Sequence, residues 1–188
     1  DCSDCEVSFS LDIGEGWNWI SLNVEAENMA INSILSPANF PDGDFPFREN
    51  DSIKNPTEFA VFYEGNGWDG TLEELDVSSM YLLKSSNVGT LEYVGAPVCP
   101  ALRSIDLIVG HNWIGFTPQK ALEINSALVS VNAADGDLIT SQSAGVASFY
   151  AGYGWQGLLT ELEPGQGYML KVANAGTLTY PSSCSDED

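Results

Sequence analysis

The sequence predicts a mainly β protein made of two homologous antiparallel β modules, each a small sandwich or barrel with one short helix. The chain repeats itself: Ser10-Leu11-Asp12-Ile13, Gly16 and Asn18-Trp19-Ile20 return 94 positions later as Ser104-Ile105-Asp106-Leu107, Gly110 and Asn112-Trp113-Ile114. Further on, Phe62-Tyr63, Gly67-Trp68, Gly70, Tyr81, Leu83-Lys84 and Gly89-Thr90-Leu91 return 87 positions later, from Phe149-Tyr150 to Gly176-Thr177-Leu178. The slip between the two offsets places about seven extra residues in the first copy, near 45–50. The segments between turn signals alternate apolar and polar residues, the period of half-buried strands. Finally, the shared positions are mostly glycines, aromatics and aliphatics, which describes a scaffold and not a reaction centre.

The elements follow in order. Val7-Ser8-Phe9-Ser10-Leu11-Asp12-Ile13 alternates strictly and predicts a strand. After Gly14 and Gly16 a second strand over 19–24 puts Ile20, Leu22 and Val24 on one face, with Trp19 and Trp113 on the opposite one. At 30–35 and 122–128 apolar residues fall three and four apart, which predicts one short amphipathic helix per module, the first stopped by Pro37. Residues 59–63 and 147–150 are aromatic-rich strands. The turns Gly65-Asn66-Gly67-Trp68-Asp69-Gly70 and Gly152-Tyr153-Gly154-Trp155-Gln156-Gly157 call for positive φ around an enclosed indole. Strands over 80–84 and 167–171 lead through hairpin-type turns at Asn87-Val88-Gly89 and Asn174-Ala175-Gly176 into strands over 90–93 and 177–180. The expected division is 1–95 for a first module with an N-terminal cysteine-bearing strand, 96–103 for a stiff proline-containing linker, and 104–188 for a second module with an acidic tail.

Charge narrows the function classes. The 188-residue chain has 27 acidic and 6 basic residues, a formal net charge of −21 that repels nucleic-acid backbones and anionic lipid, so neither is an expected partner. No apolar run is long enough for a spanning helix, so no membrane insertion is expected, and a start at Asp1-Cys2 reads as a processed chain. The cysteines Cys2, Cys5, Cys99 and Cys184 stand at module borders, as disulfides of an oxidising compartment would. Three pairings are open. A zinc site and a redox Cys-x-x-Cys at Cys2–Cys5 fit less well, for lack of a second ligand pair and of a following helix.

Chemistry-bearing constellations are sparse. His111 is the single histidine, and its counterpart is Trp17, which describes a rim position more than a catalytic base. Paired carboxylates for glycoside hydrolysis would have to come from the repeated acids, among them Glu74/Glu161 and Asp76/Glu163. Asp42-Gly43-Asp44 and Asp135-Gly136-Asp137 are the calcium candidates, each rivalled by a plain acidic turn. Lys84 and Lys171 are expected to form structural ion pairs with Asp12 and Asp106. Asn50-Asp51-Ser52 fits the N-glycosylation pattern, and Ser52 lies in an Asp-Ser-aliphatic O-glycosylation pattern, so Asn50 and Ser52 are the glycan-attachment candidates. Trp19 and Trp113 are candidates for sugar or partner contact.

The runs 16–24, Gly154-Trp155-Gln156-Gly157 and Pro164-Gly165-Gln166-Gly167-Tyr168-Met169-Leu170-Lys171 resemble a β-rich repeat module of secreted and cell-surface bacterial proteins of adhesin or fibril type. The resemblance covers both copies, although Asp76-Val77-Ser78-Ser79 lacks the Pro-Gly. It implies an extracellular or cell-surface location and modular use, and supplies no catalytic residues. The expected function is therefore a non-enzymatic extracellular structural protein, a disulfide-bonded and glycosylated subunit of a fibril or adhesin. Strand Val7, Phe9, Leu11, Ile13 would complete a neighbour's sheet, and Cys2 would be available for a bond between chains. Its partners would be further copies or other surface proteins, with glycans as a further class, and no cofactor is expected unless calcium binds. The alternative is a carbohydrate-binding module.

Overall fold

The computed structural model describes residues 5–181. It is mainly β, with 44% of residues in strands against 9% in helical turns, arranged as antiparallel sheets in a sandwich-like fold. In chain order the first half contains β1 (Val7–Ile13), β2 (Gly16–Ile20), β3 (Val24–Glu25), helix α1 (Ile31–Ile34), β4 (Ser52–Lys54), β5 (Phe59–Tyr63), β6 (Gly67–Gly70), β7 (Tyr81–Ser85) and β8 (Gly89–Pro97). The second contains β9 (Ile105–Leu107), β10 (Gly110–Ile114), β11 (Leu122–Glu123), α2 (Ile124–Ala127), β12 (Leu138–Ser141), β13 (Val146–Tyr150), β14 (Gly154–Gly157), β15 (Glu161–Leu162), β16 (Tyr168–Val172) and β17 (Gly176–Leu178).

Two five-stranded sheets share one strand plan, β2-β7-β4-β5-β6 and β10-β16-β12-β13-β14. Against the first lies the sheet β1-β8-β3; the second half has the pairs β17-β9 and β11-β15. The alternation of β1 is realised as expected. Phe9, Leu11 and Ile13 enter a core that also holds Ile20, Ile53, Phe62, Trp68, Leu83 and Leu91, while Ser8, Ser10 and Asp12 face out. A second core gathers Ile114, Phe116, Ile139, Trp155, Leu170 and Tyr180. Each such large side chain contributes about 1.5–3 kcal/mol on burial.

Several expectations need correction. The turns at 87–89 and 174–176 do not make hairpins: β7 pairs with β2 and β4 but β8 with β1 and β3, so the chain crosses from one sheet to the other there. The helices occupy a single turn each, and Leu122–Glu123 is strand instead, because Leu122 pairs with Leu162. The second strand runs from Gly16 to Ile20 and breaks at Ser21, since Ile20, Ser21, Leu22, Asn23 and Val24 are all buried and the two polar side chains bond to the other half. The expected linker begins inside the sheet β1-β8-β3, where Pro97 pairs with Val24 and Val98 is buried.

Local geometry is repeated through polar side chains that bind backbone. Asn18 accepts from the Gly14 N–H and donates to the carbonyls of Gly14, Gly16 and Leu83; Asn112 does the same with Ile108, Gly110 and Leu170. Asn32 accepts from the Trp68 N–H at 2.7 Å and donates to its carbonyl at 2.8 Å, and Asn125 treats Trp155 alike at 2.6 and 3.2 Å. Gly67 and Gly154, with φ of 85° and 79°, sit so close to these amides that a Cβ would strike Asn32 or Asn125. Replacing Asn125 by alanine leaves two partly buried backbone groups unpaired and is expected to cost about 1–3 kcal/mol in urea unfolding. A loss below ~0.5 kcal/mol would mean that the glycines alone hold the turn.

Candidate functional site

Asp51 and Asp137 emerge as equivalent carboxylates, 2% and 3% exposed. Asp137 accepts from the N–H groups of Ala134 (2.9 Å) and Ala173 (2.8 Å). Asp51 accepts from the Arg48 and Ser86 N–H groups, both at 2.9 Å, and from the Ser86 hydroxyl at 2.8 Å. Backbone bonds to Phe62 and Phe149 repeat as well. The Asp137 carboxylate is thus engaged by the backbone, as a structural acceptor is. Asp135 likewise accepts from the Ala151 N–H, as Glu49 does from Glu64. Asp44, read from sequence as the mate of Asp137, is instead an exposed residue of the inserted segment, and Asp42 belongs to the 3-10 turn Pro41–Gly43. Among the described residues no three His, Cys, Asp or Glu side chains gather as a metal set.

The inserted segment fills space instead. Phe40, Phe45 and Phe47 pack edge to face at 5.3–5.6 Å and reach Phe62 and Trp68, a cluster without counterpart in the second half. Asn50, exposed, has φ of 70° where the second half has Gly136 at 87°. Its carboxamide is open to modification, whereas Ser52 is half-buried in the middle strand of its sheet. Cys5 is exposed and free within the described chain; Cys99 is disulfide-bonded. Cys2 and Cys184 lie outside the described residues.

Strand β1 is not a spare strand. It pairs with β8 of its own chain from Val7↔Gly95 to Ile13↔Gly89. Only its opposite edge lacks a backbone partner among the described residues. The lysine ion pairs do not form either. Lys84 and Lys171 are exposed, Asp12 accepts from Thr90 instead, and Arg103–Glu25 is the one ion pair among the described residues.

Trp19 and Trp113 are half-buried on the outward faces of the five-stranded sheets, at one end of equivalent cross-strand rows. Trp19 stands beside Leu82, then Lys54 and Phe59; Trp113 stands beside Met169, then Thr140 and Val146. The neighbouring rows are Trp17, Lys84, Ser52, Val61, Asp69 and His111, Lys171, Leu138, Ser148, Gln156. His111 is thus an exposed rim residue, as its exchange with Trp17 suggested.

The halves meet along a seam with two-fold pseudosymmetry. Ile20 bridges Gln166 and its counterpart Ile114 bridges Ser79; the Ser21 N–H donates to Gly165 and the Gly115 N–H to Ser78. Gly115 and Gly167 permit this approach, since a Cβ on either would strike the facing segment. Buried Asn23 donates to the Pro118 carbonyl at 2.8 Å, and Ser21 donates to Gln166 at 2.6 Å while accepting from the Phe116 N–H. Sequence reasoning missed this seam, because Ser21 and Asn23 read as the solvent side of an alternating strand.

Glu161 and Glu163 line a cavity of about 180 Å³ beside Tyr168 and Gln166, below the ~300–1,000 Å³ of ordinary small-ligand sites. The Tyr168 hydroxyl accepts from the Glu163 N–H, and burial pushes its pKa up to about 12. Among the described residues no helix is long and apolar enough to cross a membrane. No protein-family model, curated protein or solved structure matches the chain.

Proposed function

We propose that this chain is a non-enzymatic structural protein of the cell surface or extracellular space, two homologous modules forming the subunit of a fibril or an adhesin. The observation that carries this reading is where the repeated polar side chains point. Asn18/Asn112, Asn32/Asn125, Asp51/Asp137 and Tyr81/Tyr168 each bind backbone within their own half, so both copies use their shared chemistry to hold the fold. Assembly through the first strand then uses the outer edge of β1 and leaves the β1–β8 pairing intact, as edge-to-edge sheet extension does. Light scattering across a dilution series, with electron micrographs of the same samples, tests it. Filaments or concentration-dependent oligomers are expected, and monomers throughout would refute assembly.

A carbohydrate-binding module is the second reading, favoured by the equivalent outward positions of Trp19 and Trp113. Saturable polysaccharide binding that Trp113→Ala abolishes would select it.

A further inference from the structure

We infer that the outward face of sheet β2-β7-β4-β5-β6 is a binding face for an acidic polysaccharide, a polymer of uronate-type pyranose rings, with a weaker copy on the second sheet. The inference rests on the carbohydrate-binding reading and goes beyond it in naming the ligand's charge and a site centred on Trp17, Lys54 and Lys84.

Charge is sorted on this protein. Acids outnumber bases 27 to 6 over the chain, yet the four outward rows contain Asp69 as their one acid, against Lys54, Lys84 and Lys171. Among the described residues these lysines have no ion-pair partner. Lys54 Nζ lies over the Trp17 ring, 5.6 Å from its centroid, and Trp17 is 46% exposed. Lys84 stands directly beside Trp17 on the next strand. The half-exposed indole offers apolar surface to a sugar ring, and the ammonium groups above and beside it offer a counter-charge to the sugar's carboxylate.

Geometry and composition select the polymer over a protein. Strands step by about 4.8 Å, near the size of one pyranose ring, so a chain crossing the strands meets Trp17, Lys84 and the Ser52 hydroxyl in succession. A protein partner would favour a face whose centre is free of charge, whereas here Lys84 and Lys54 stand on the inner strands β7 and β4. The overall negative field opposes a polyanion at long range but decays within about 8 Å at ~0.15 M salt, leaving the local lysines to decide contact. On the second sheet Lys171 and Trp113 hold the positions equivalent to Lys84 and Trp19, while His111 replaces Trp17 and Thr140 replaces Lys54, so the copy there is weaker.

The test uses the full chain in affinity electrophoresis at ~0.15 M salt, with polygalacturonate, a neutral glucan and poly-glutamate as probes. Polygalacturonate should retard the protein, poly-glutamate should do so far less, and Trp17→Ala or the pair Lys54→Gln/Lys84→Gln should each weaken retardation about tenfold, a loss of ~1.4 kcal/mol, with the melting temperature unchanged. Equal retardation by poly-glutamate would reduce the face to a charge patch and overturn the inference. Retardation by neutral glucan that ignores the lysine variants would overturn it while leaving the carbohydrate reading standing. Silence from every probe would defeat both.

Discussion

Asp51→Ala is expected to be the most damaging exchange of a single polar residue, costing about 3–5 kcal/mol, a large part of the ~5–15 kcal/mol that holds a domain folded. The substitution strands the Arg48 and Ser86 N–H groups and the Ser86 hydroxyl, which the carboxylate gathers where the 48–51 turn meets the end of β7. Asp137→Ala strands two N–H groups and should cost somewhat less. Asp51→Asn keeps one acceptor oxygen and should fall between wild type and alanine. Asp44→Ala, at an exposed position, should stay within ~0.5 kcal/mol. Guanidinium unfolding with and without added calcium reads all four. If calcium stabilises the parent and Asp137→Ala removes that gain, the carboxylate is a metal ligand after all. If Asp51→Ala unfolds like the parent, the buried acceptor is dispensable.

The second large effect is alkaline unfolding. Four of the chain's seven tyrosines, Tyr81, Tyr93, Tyr168 and Tyr180, are buried. Burial raises the pKa of each phenol, to about 12 for Tyr168 and higher still for Tyr93 and Tyr180. The folded state therefore prefers the neutral phenol. That preference is intact below the unfolded value near 10 and is lost as pH rises towards the folded one. Above pH ~10 each of Tyr93, Tyr168 and Tyr180 removes about 1.4 kcal/mol per pH unit, or ~4 kcal/mol per unit together. Cooperative unfolding should follow before pH ~12. Tyrosinate absorbance from the four buried rings should appear in step with loss of the β circular dichroism. Gradual ionisation of all seven with the sheet signal intact would show that these rings reach solvent in the native state.

Much of the fold is legible in the residues. The strict alternation of 7–13 survives as β1, and the glycine-framed tryptophans at 68 and 155 are buried turn anchors with left-handed glycines before them. What sequence hid has physical causes. β4 and β12, of three and four residues, are too short to show a period, yet they sit at the centre of the five-stranded sheets. Asp51 hid behind a one-residue difference in the β4–β5 and β12–β13 connections, which moves it off the offset its sheet neighbours share, while the common Asp-Gly-Asp pattern matched Asp44 to Asp137 instead. The outward tryptophans were visible from alternation; the lysines beside them were not, because their neighbours lie on strands far away in sequence.

The bonds that repeat across the two-fold seam run from one main chain to another, Ser21 to Gly165 and Gly115 to Ser78. Such contacts constrain bulk and chain path but leave side-chain identity largely open. One side can therefore use Pro164-Gly165 and the other Val77-Ser78 for the same task, and the two halves can diverge in surface chemistry while their join stays constant.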